Sequence, residues 1–257
     1  MNFRLSRLSA LLLLLAPALF AQEPSSFSQI RAALEDELYP FAEQQTWEAL
    51  STQRTPEEEA TLTVLLIRAL SGQQKFNDAV ILADESAGLP KQDAFAYWRA
   101  RALFEAGNFN AAIQKLGTLP KDSPYTPAAL RLKGRAEQSS GDFKSAQKTF
   151  EAFREQFPSD ENAAQNLLDL AGIYLERSRK SDATKALHEL IGRFPDSTLA
   201  DSARLVLARQ LIASGGKDEQ SEASLLLNTL GARETAHPRL RSAAWVELSA
   251  IEQRAGN

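Results

Sequence analysis

Residues 153–175 read FREQFPSDENAAQNLLDLAGIYL, and residues 190–211 read LIGRFPDSTLADSARLVLARQL. Each carries Phe-Pro, a Ser/Asp pair and a run of small residues and leucines, with Pro158 and Pro195 spaced by 37 positions. The residue before a proline is disfavoured in the α region, so Phe157 and Phe194 are expected to end a helix. Ser159 or Asp160, and Asp196 or Ser197, then offer side-chain oxygens to the unpaired N–H groups that begin the next helix. The motif is a helix-to-helix joint, and a joint written twice at fixed spacing marks a repeated unit.

Upstream, Ala100, Gly107, Phe109, Ala112, Leu116 and Pro124 have counterparts 34 positions on in Gly134, Gly141, Phe143, Ala146, Phe150 and Pro158. A further shift of 37 finds Ala171, Ala183, Leu187 and Pro195, and a fourth copy has Ala208, Ala223 and Leu227 with extra residues around Gly215 and Gly216. Leu66, Leu70, Phe76, Ala79 and Ala83 form a fainter earlier copy. About six units result, the clearest being the three from 93 to 197. Within a unit, apolar residues three and four apart put a stripe on one helix face. Gly107 and Gly141 allow the left-handed conformation that closes a helix. A second stripe begins at once, so the two helices are antiparallel neighbours. Small pairs such as Ala100 with Ala112, or Gly134 with Ala146, suit the closest approach of the two backbones. The reading is a signal segment at 1–21, N-terminal capping helices at 22–59, repeats over 60–238 and a C-terminal capping helix at 239–257.

The pattern resembles the tetratricopeptide repeat (TPR), matching its small, small and proline positions at Ala100, Ala112 and Pro124; Gly134, Ala146 and Pro158; and Ala171, Ala183 and Pro195. The joints look most like those of envelope TPR proteins of Gram-negative bacteria. Examples are the periplasmic coordinator of the Tol-Pal system and the lipoprotein of the outer-membrane β-barrel assembly machine. The resemblance implies an all-α, right-handed α-solenoid of antiparallel helix pairs with a concave groove for a protein partner.

Arg4 and Arg7 precede an apolar run from Leu8 to Ala16, then Pro17 and small residues at Ala18 and Ala21. This is the layout of a cleavable secretory signal. It is about half the roughly 18 apolar residues that a membrane span needs. No other segment is long and apolar enough to span a bilayer. The expected product is periplasmic, and the absence of Cys excludes a lipid-modified signal, disulfides and thiolate chemistry. Losing Arg4 and Arg7 takes the formal charge from −4 to −6, since residues 1–21 hold no Asp or Glu. Such a chain is a poor match for nucleic acid.

Little points to catalysis. TPEEEA at 55–60 reads as a helix start, with Thr55 and Glu58 as a capping box and Pro56 in the first turn. His188 and His237 stand in no metal-ligand or nucleophile-base spacing, and Gly215-Gly216 lacks a phosphate-loop pattern. Neither a cofactor nor a metal is expected. Trp98, Phe109, Phe143, Phe150 and Phe153 fall at packing positions and read as core.

One pattern stands apart. Arg101 and Arg135 directly follow the small residue of the first helix of a unit, Arg209 and Arg68 hold corresponding places, and Arg131 lies one turn before Arg135. By the resemblance these positions, with Tyr97, line the groove, where arginine forks would meet carboxylates of an acidic partner segment. Gly172 breaks the row in the third unit, and Arg101 could instead pair with Glu105. The expected function is a non-catalytic scaffold for protein-protein interaction in the cell envelope. The alternatives are an accessory helical module of a cell-wall enzyme, which an attached catalytic domain would decide, and a structural oligomer. An exposed apolar stripe on the terminal units would favour the last. Oligomeric state is open.

Overall fold

The computed structural model describes residues 25–255, so the predicted signal segment at 1–21 lies outside the described residues. Among the described residues the chain is all α, without a strand. Six helix pairs follow one another: α1 (Ser25–Glu35) with α2 (Tyr39–Leu50), α3 (Pro56–Gly72) with α4 (Phe76–Glu85), and α5 (Gln92–Glu105) with α6 (Phe109–Leu116). Next come α7 (Thr126–Ser139) with α8 (Phe143–Gln156), α9 (Ala163–Glu176) with α10 (Lys180–Arg193), and α11 (Thr198–Ser214) with α12 (Lys217–Ala232). A last helix, α13 (Pro238–Ala255), packs on α12 and α11.

Each helix packs on its neighbours in the chain, the arrangement of a solenoid. Odd-numbered helices also touch across units, α1 with α3, α3 with α5, α5 with α7, α9 with α11 and α11 with α13. They therefore form the closer-packed, inner side of the stack.

The turn inside a pair is closed the same way in the first five pairs. Gly107 and Gly141 have φ of 81° and 85°. The following N–H reaches back, Asn108 to the Leu103 carbonyl at 2.8 Å and Asp142 to the Glu137 carbonyl at 2.9 Å. Ser178 takes the same place after α9 with φ 58°, and Arg179 N–H donates to the Tyr174 carbonyl at 2.7 Å. A side chain in this conformation costs roughly 1–2 kcal/mol, part of which glycine returns through its freer unfolded chain. Ser178→Gly is therefore expected to raise stability by about 0.5–1 kcal/mol, read as a higher urea midpoint. A midpoint that falls would show that Ser178 is held by more than its turn.

The close approach inside a pair rests on the small residues. Ala100, Ala112, Ala146 and Ala183 are fully buried. A Cβ on Gly134 would come within 2.6 Å of the Phe150 ring. Phe150 and Phe153 are fully buried, as their positions predict.

The two joints differ in detail. Phe157 and Phe194 each follow the last helical residue with identical backbone angles, φ −128° and ψ 52°. At the second joint Ser197 accepts the N–H of Leu199 at 3.1 Å and caps α11. At the first, α9 begins only at Ala163, so Asp160 accepts the Asn162 N–H at 2.8 Å in the turn before the helix, and no side chain caps α9. Buried polar groups fasten both joints. Asn166 Nδ2 donates to the Phe150 carbonyl at 3.0 Å. Arg204 donates to Asp201 at 2.8 Å and to the Pro195 carbonyl at 3.0 Å. At the start of α3, Thr55 and Glu58 form the expected capping box.

Candidate partner-binding site

Five arginines of the inner helices, and Lys91 before α5, meet in three linked cavities. The first, 420 Å³, is lined by Arg31, Arg68, Lys91, Trp98 and Tyr125 among others. The second, 320 Å³, shares Arg68 and Trp98 with it and adds Arg101 and Glu105. The third, 310 Å³, shares Arg101 and Glu105 and adds Tyr97, Arg131, Arg135 and Glu161. Together they make a trough along α1, α3, α5 and α7. Six cations line it with two carboxylates, and Asp169 of α9 stands behind Arg131, so this strip is positive although the whole chain carries −4.

Aromatic rings hold the guanidiniums in place. Arg68 and Arg101 lie 5.1 and 5.0 Å from the centroid of the same Trp98 ring, and Arg135 lies 4.9 Å from that of Phe104. Tyr97 stacks on Tyr125 at 5.1 Å and meets Trp98 edge to face at 5.3 Å. A cation over an indole gains about 0.5–1 kcal/mol when exposed and more when desolvated. These contacts place the central carbon of each guanidinium over an aromatic ring. Trp98 is thus no simple core residue. It is half-buried and serves as the platform for two arginines.

The arginines differ in their carboxylate partners. Arg101 Nε donates to Glu105 at 3.0 Å, the local pair anticipated from the i,i+4 spacing. Burial opposes the Arg101 charge, but the hydrogen bond and charge of Glu105 outweigh it and raise its pKa. Arg131 faces Asp169 of α9 at 3.9 Å, so in the third unit an acid stands one turn from the Gly172 gap. Asp169 is held above the usual carboxylate range by burial, against the pull of Gln165, Arg131 and Arg135. Arg68 and Arg135 meet no carboxylate at salt-bridge distance among the described residues.

Of the residues singled out in the sequence, Arg68, Tyr97, Arg101, Arg131 and Arg135 are brought together in the trough. Arg209 is not. It donates to Glu247 of α13 at 2.9 Å and lines none of these three cavities. Trp98, Phe104, Arg31, Lys91 and Asp169 were missed. Trp98 had one signal, its place three residues before Arg101, which puts both on one helix face. Lys91 lies in the connection before α5 with φ 62°, where no helical register applies. Arg31 lies in the first helix pair, which carries no repeat pattern.

No group of three or more acidic or histidine side chains suited to a metal occurs among the described residues. No described helix is long and apolar enough to cross a membrane.

Comparison with known proteins agrees with this architecture. Residues 131–198 match the family described as Tetratricopeptide repeat. Comparison with curated protein sequences gives no match. Among solved structures, a tetratricopeptide repeat protein from Parabacteroides merdae superposes with a TM-score of 0.53 at 16% identity, over 89% of this chain and 100% of its own. A Rap protein complexed with Competence and Sporulation Factor gives 0.56 at 15% identity, over 89% and 74%. MamA from Desulfovibrio magneticus gives 0.52 at 15%, over 68% and 100%. At such identities the likeness is one of fold. Residues 131–198, in α7 to α10, thus carry tetratricopeptide-repeat sequence, and the helix pairs on both sides continue the same fold.

Proposed function

We propose that the chain is an exported, non-catalytic scaffold of the bacterial cell envelope that holds an acidic segment of a partner protein in the trough along α1 to α7. The observation that carries the reading is the trough itself: six cations in an acidic chain, three of them set over aromatic rings, with Arg68 and Arg135 meeting no carboxylate at salt-bridge distance among the described residues. Arginine forks suit carboxylates because they bond them through two parallel N–H donors. The Rap protein of the same fold class, solved with Competence and Sporulation Factor, is an instance of such a stack holding a partner. Export is supported by the basic, apolar and small-residue order of residues 1–21.

Two measurements test it. Cleavage near Ala18 or Ala21 is expected to release the chain into the soluble periplasmic fraction, and a mature product that begins at Met1 would overturn export. Capture from envelope extract with residues 22–257, followed by calorimetry on the captured partner, is expected to show binding that weakens with salt. Affinity indifferent to salt would remove the electrostatic trough. Asp169 gives an internal check, since it competes for Arg131. Asp169→Asn is expected to strengthen partner binding several-fold, and weaker binding would mean that Asp169 itself contacts the partner.

A second reading has its own observation. Leu38, Phe41 and Trp47 are exposed in the first pair, and Leu225, Trp245 and Val246 in the last helices, Val246 at 69%. Apolar residues uncovered at both ends suit association of chains end to end. A sedimentation series that shows only monomer at high concentration would dismiss it.

A further inference from the structure

Two guanidiniums share one indole in the cavity between α1, α3 and α5, yet only one of them meets a carboxylate. Arg101 donates to Glu105, while Arg68 lies over Trp98 with no acidic partner at salt-bridge distance among the described residues. Burial, and after it the neighbouring charge of Arg101, lower the Arg68 pKa, a sign that the two cations are held together under repulsion. Arginine remains charged at any ordinary pH, so the repulsion is relieved by an anion and not by loss of a proton. Ser71 lines the same cavity, is only 7% exposed, and its Oγ has no hydrogen-bond partner among the described residues. Buried hydroxyls are ordinarily paired. Tyr39, whose ring packs on Gly72, and Phe76 supply apolar wall.

We infer that this 320 Å³ cavity is the anchor point of the trough, taking one carboxylate of the bound segment on the N–H edges of Arg68 and Arg101 with the adjoining side chain laid against Trp98 and Tyr39. This rests on the reading of the trough as the partner surface and assigns its most demanding contact. The carboxylate can come from an Asp or Glu side chain or from a chain terminus. Glu105, which also lines the cavity, takes the Nε–H of Arg101, so the anchor uses the remaining N–H groups of that guanidinium.

The test uses residues 22–257 with Trp47→Phe and Trp245→Phe, which leaves Trp98 as the sole tryptophan and a reporter inside the site. The probes are acetylated decapeptides of alternating Asp and Ala, with a free or amidated C-terminus, and the same pair with Asn for Asp. A saturable change in Trp98 emission is expected with at least one carboxylate-bearing peptide and none with the Asn amide. Response to the Asp amide assigns the side chain; response to the Asn free acid assigns the terminus. Arg68→Gln is expected to lower affinity at least tenfold and to abolish the emission change. Arg131→Gln, outside this cavity, should lower affinity but keep the full emission change at saturation. An equal response to the Asn amide, no response to any acidic peptide, or unchanged affinity in Arg68→Gln would overturn the anchor. If Arg68→Gln binds normally while the Arg101→Ala and Arg135→Ala double variant does not, the anchor falls and the trough stands. If neither variant changes binding, both fall. Should Arg68→Gln lose its helical circular-dichroism signal, Arg68→Lys keeps the charge without the planar fork. It is expected to weaken binding several-fold, and unchanged affinity there would overturn the anchor as well.

Discussion

Replacing Arg101 and Arg135 together by alanine is expected to weaken binding of the partner segment at least tenfold and to leave the helical content unchanged. The two side chains line one 310 Å³ cavity and approach it from adjacent inner helices, α5 and α7. Losing a hydrogen bond to a charged group costs about 1.5–3 kcal/mol, and a factor of ten requires only about 1.4. The fold should survive because neither residue is buried: Arg135 is exposed and Arg101 is half-exposed. Each does leave an aromatic face uncovered, Trp98 and Phe104, at a cost of about 0.5–1 kcal/mol apiece. Alanine's better helix propensity offsets a part of that. Glu105, freed of Arg101, adds repulsion toward an acidic segment and works in the same direction. Raising salt should weaken the wild-type complex as well, since exposed charges are screened beyond roughly 10 Å at 0.1 M. Calorimetry on wild type and double variant at two salt concentrations separates these effects. Four equal affinities would leave the arginines as surface decoration and move the search to the even-numbered helices.

The helix pairs were legible in the sequence because their punctuation is local. Gly107, Gly141, Pro158 and Pro195 act on the backbone within one turn of themselves, and the small residues report a close approach that recurs in the four pairs from α5 to α12. The trough was legible only in part, for a physical reason. Register gives the position of a side chain on its own helix, but not what the next unit places opposite. Arg209 stands in register with Arg101 and Arg135, yet Glu247 of α13 meets it and closes the contact. Arg131 meets Asp169 in the same way, whereas Arg68 lies over Trp98 and meets no carboxylate at salt-bridge distance among the described residues. Trp98 shows the limit most clearly. An aromatic at a helical packing position reads alike whether a neighbouring helix or two guanidiniums cover it, and Arg68 comes from 30 residues earlier. The joints carry the same lesson. Asp160 and Ser197 both follow Phe-Pro, but α9 starts later after its proline than α11 does, so only Ser197 reaches a helix N–H.

Ala146→Leu is expected to destabilise the fold by about 1–3 kcal/mol, the usual result of overfilling a close-packed interior. Ala146 is fully buried where α8 crosses α7, in the cluster that also holds Phe150, Leu167 and Leu170. On α7 the position that meets α8 most closely is Gly134, where one added carbon would come within 2.6 Å of the Phe150 ring. The pair therefore has no space to receive three more carbons without parting the helices or moving Phe150 from its place. Parting them has further consequences because Asn166 hangs from the Phe150 carbonyl and fixes α9 to α8. In a stack whose units contact chiefly their neighbours, a weakened middle pair also loosens the coupling between the two halves. The thermal midpoint should fall by roughly 2–4 °C per kcal/mol for a chain of this size, and the transition should broaden as the halves begin to melt separately. Ala111→Leu is the control, since Ala111 is exposed on α6 beside fully buried Ala112, and it should change the midpoint little. If Ala146→Leu melts like wild type, the α7–α8 interface is not packed as described and the assignment of the small-residue positions is wrong in every unit. If Ala111→Leu is as harmful as Ala146→Leu, the loss reflects the added leucine itself and not the crossing. A lowered midpoint with Ala146→Leu alone locates the close approach at the helix crossing, the contact on which the position of the arginine-bearing faces of α5 and α7 depends.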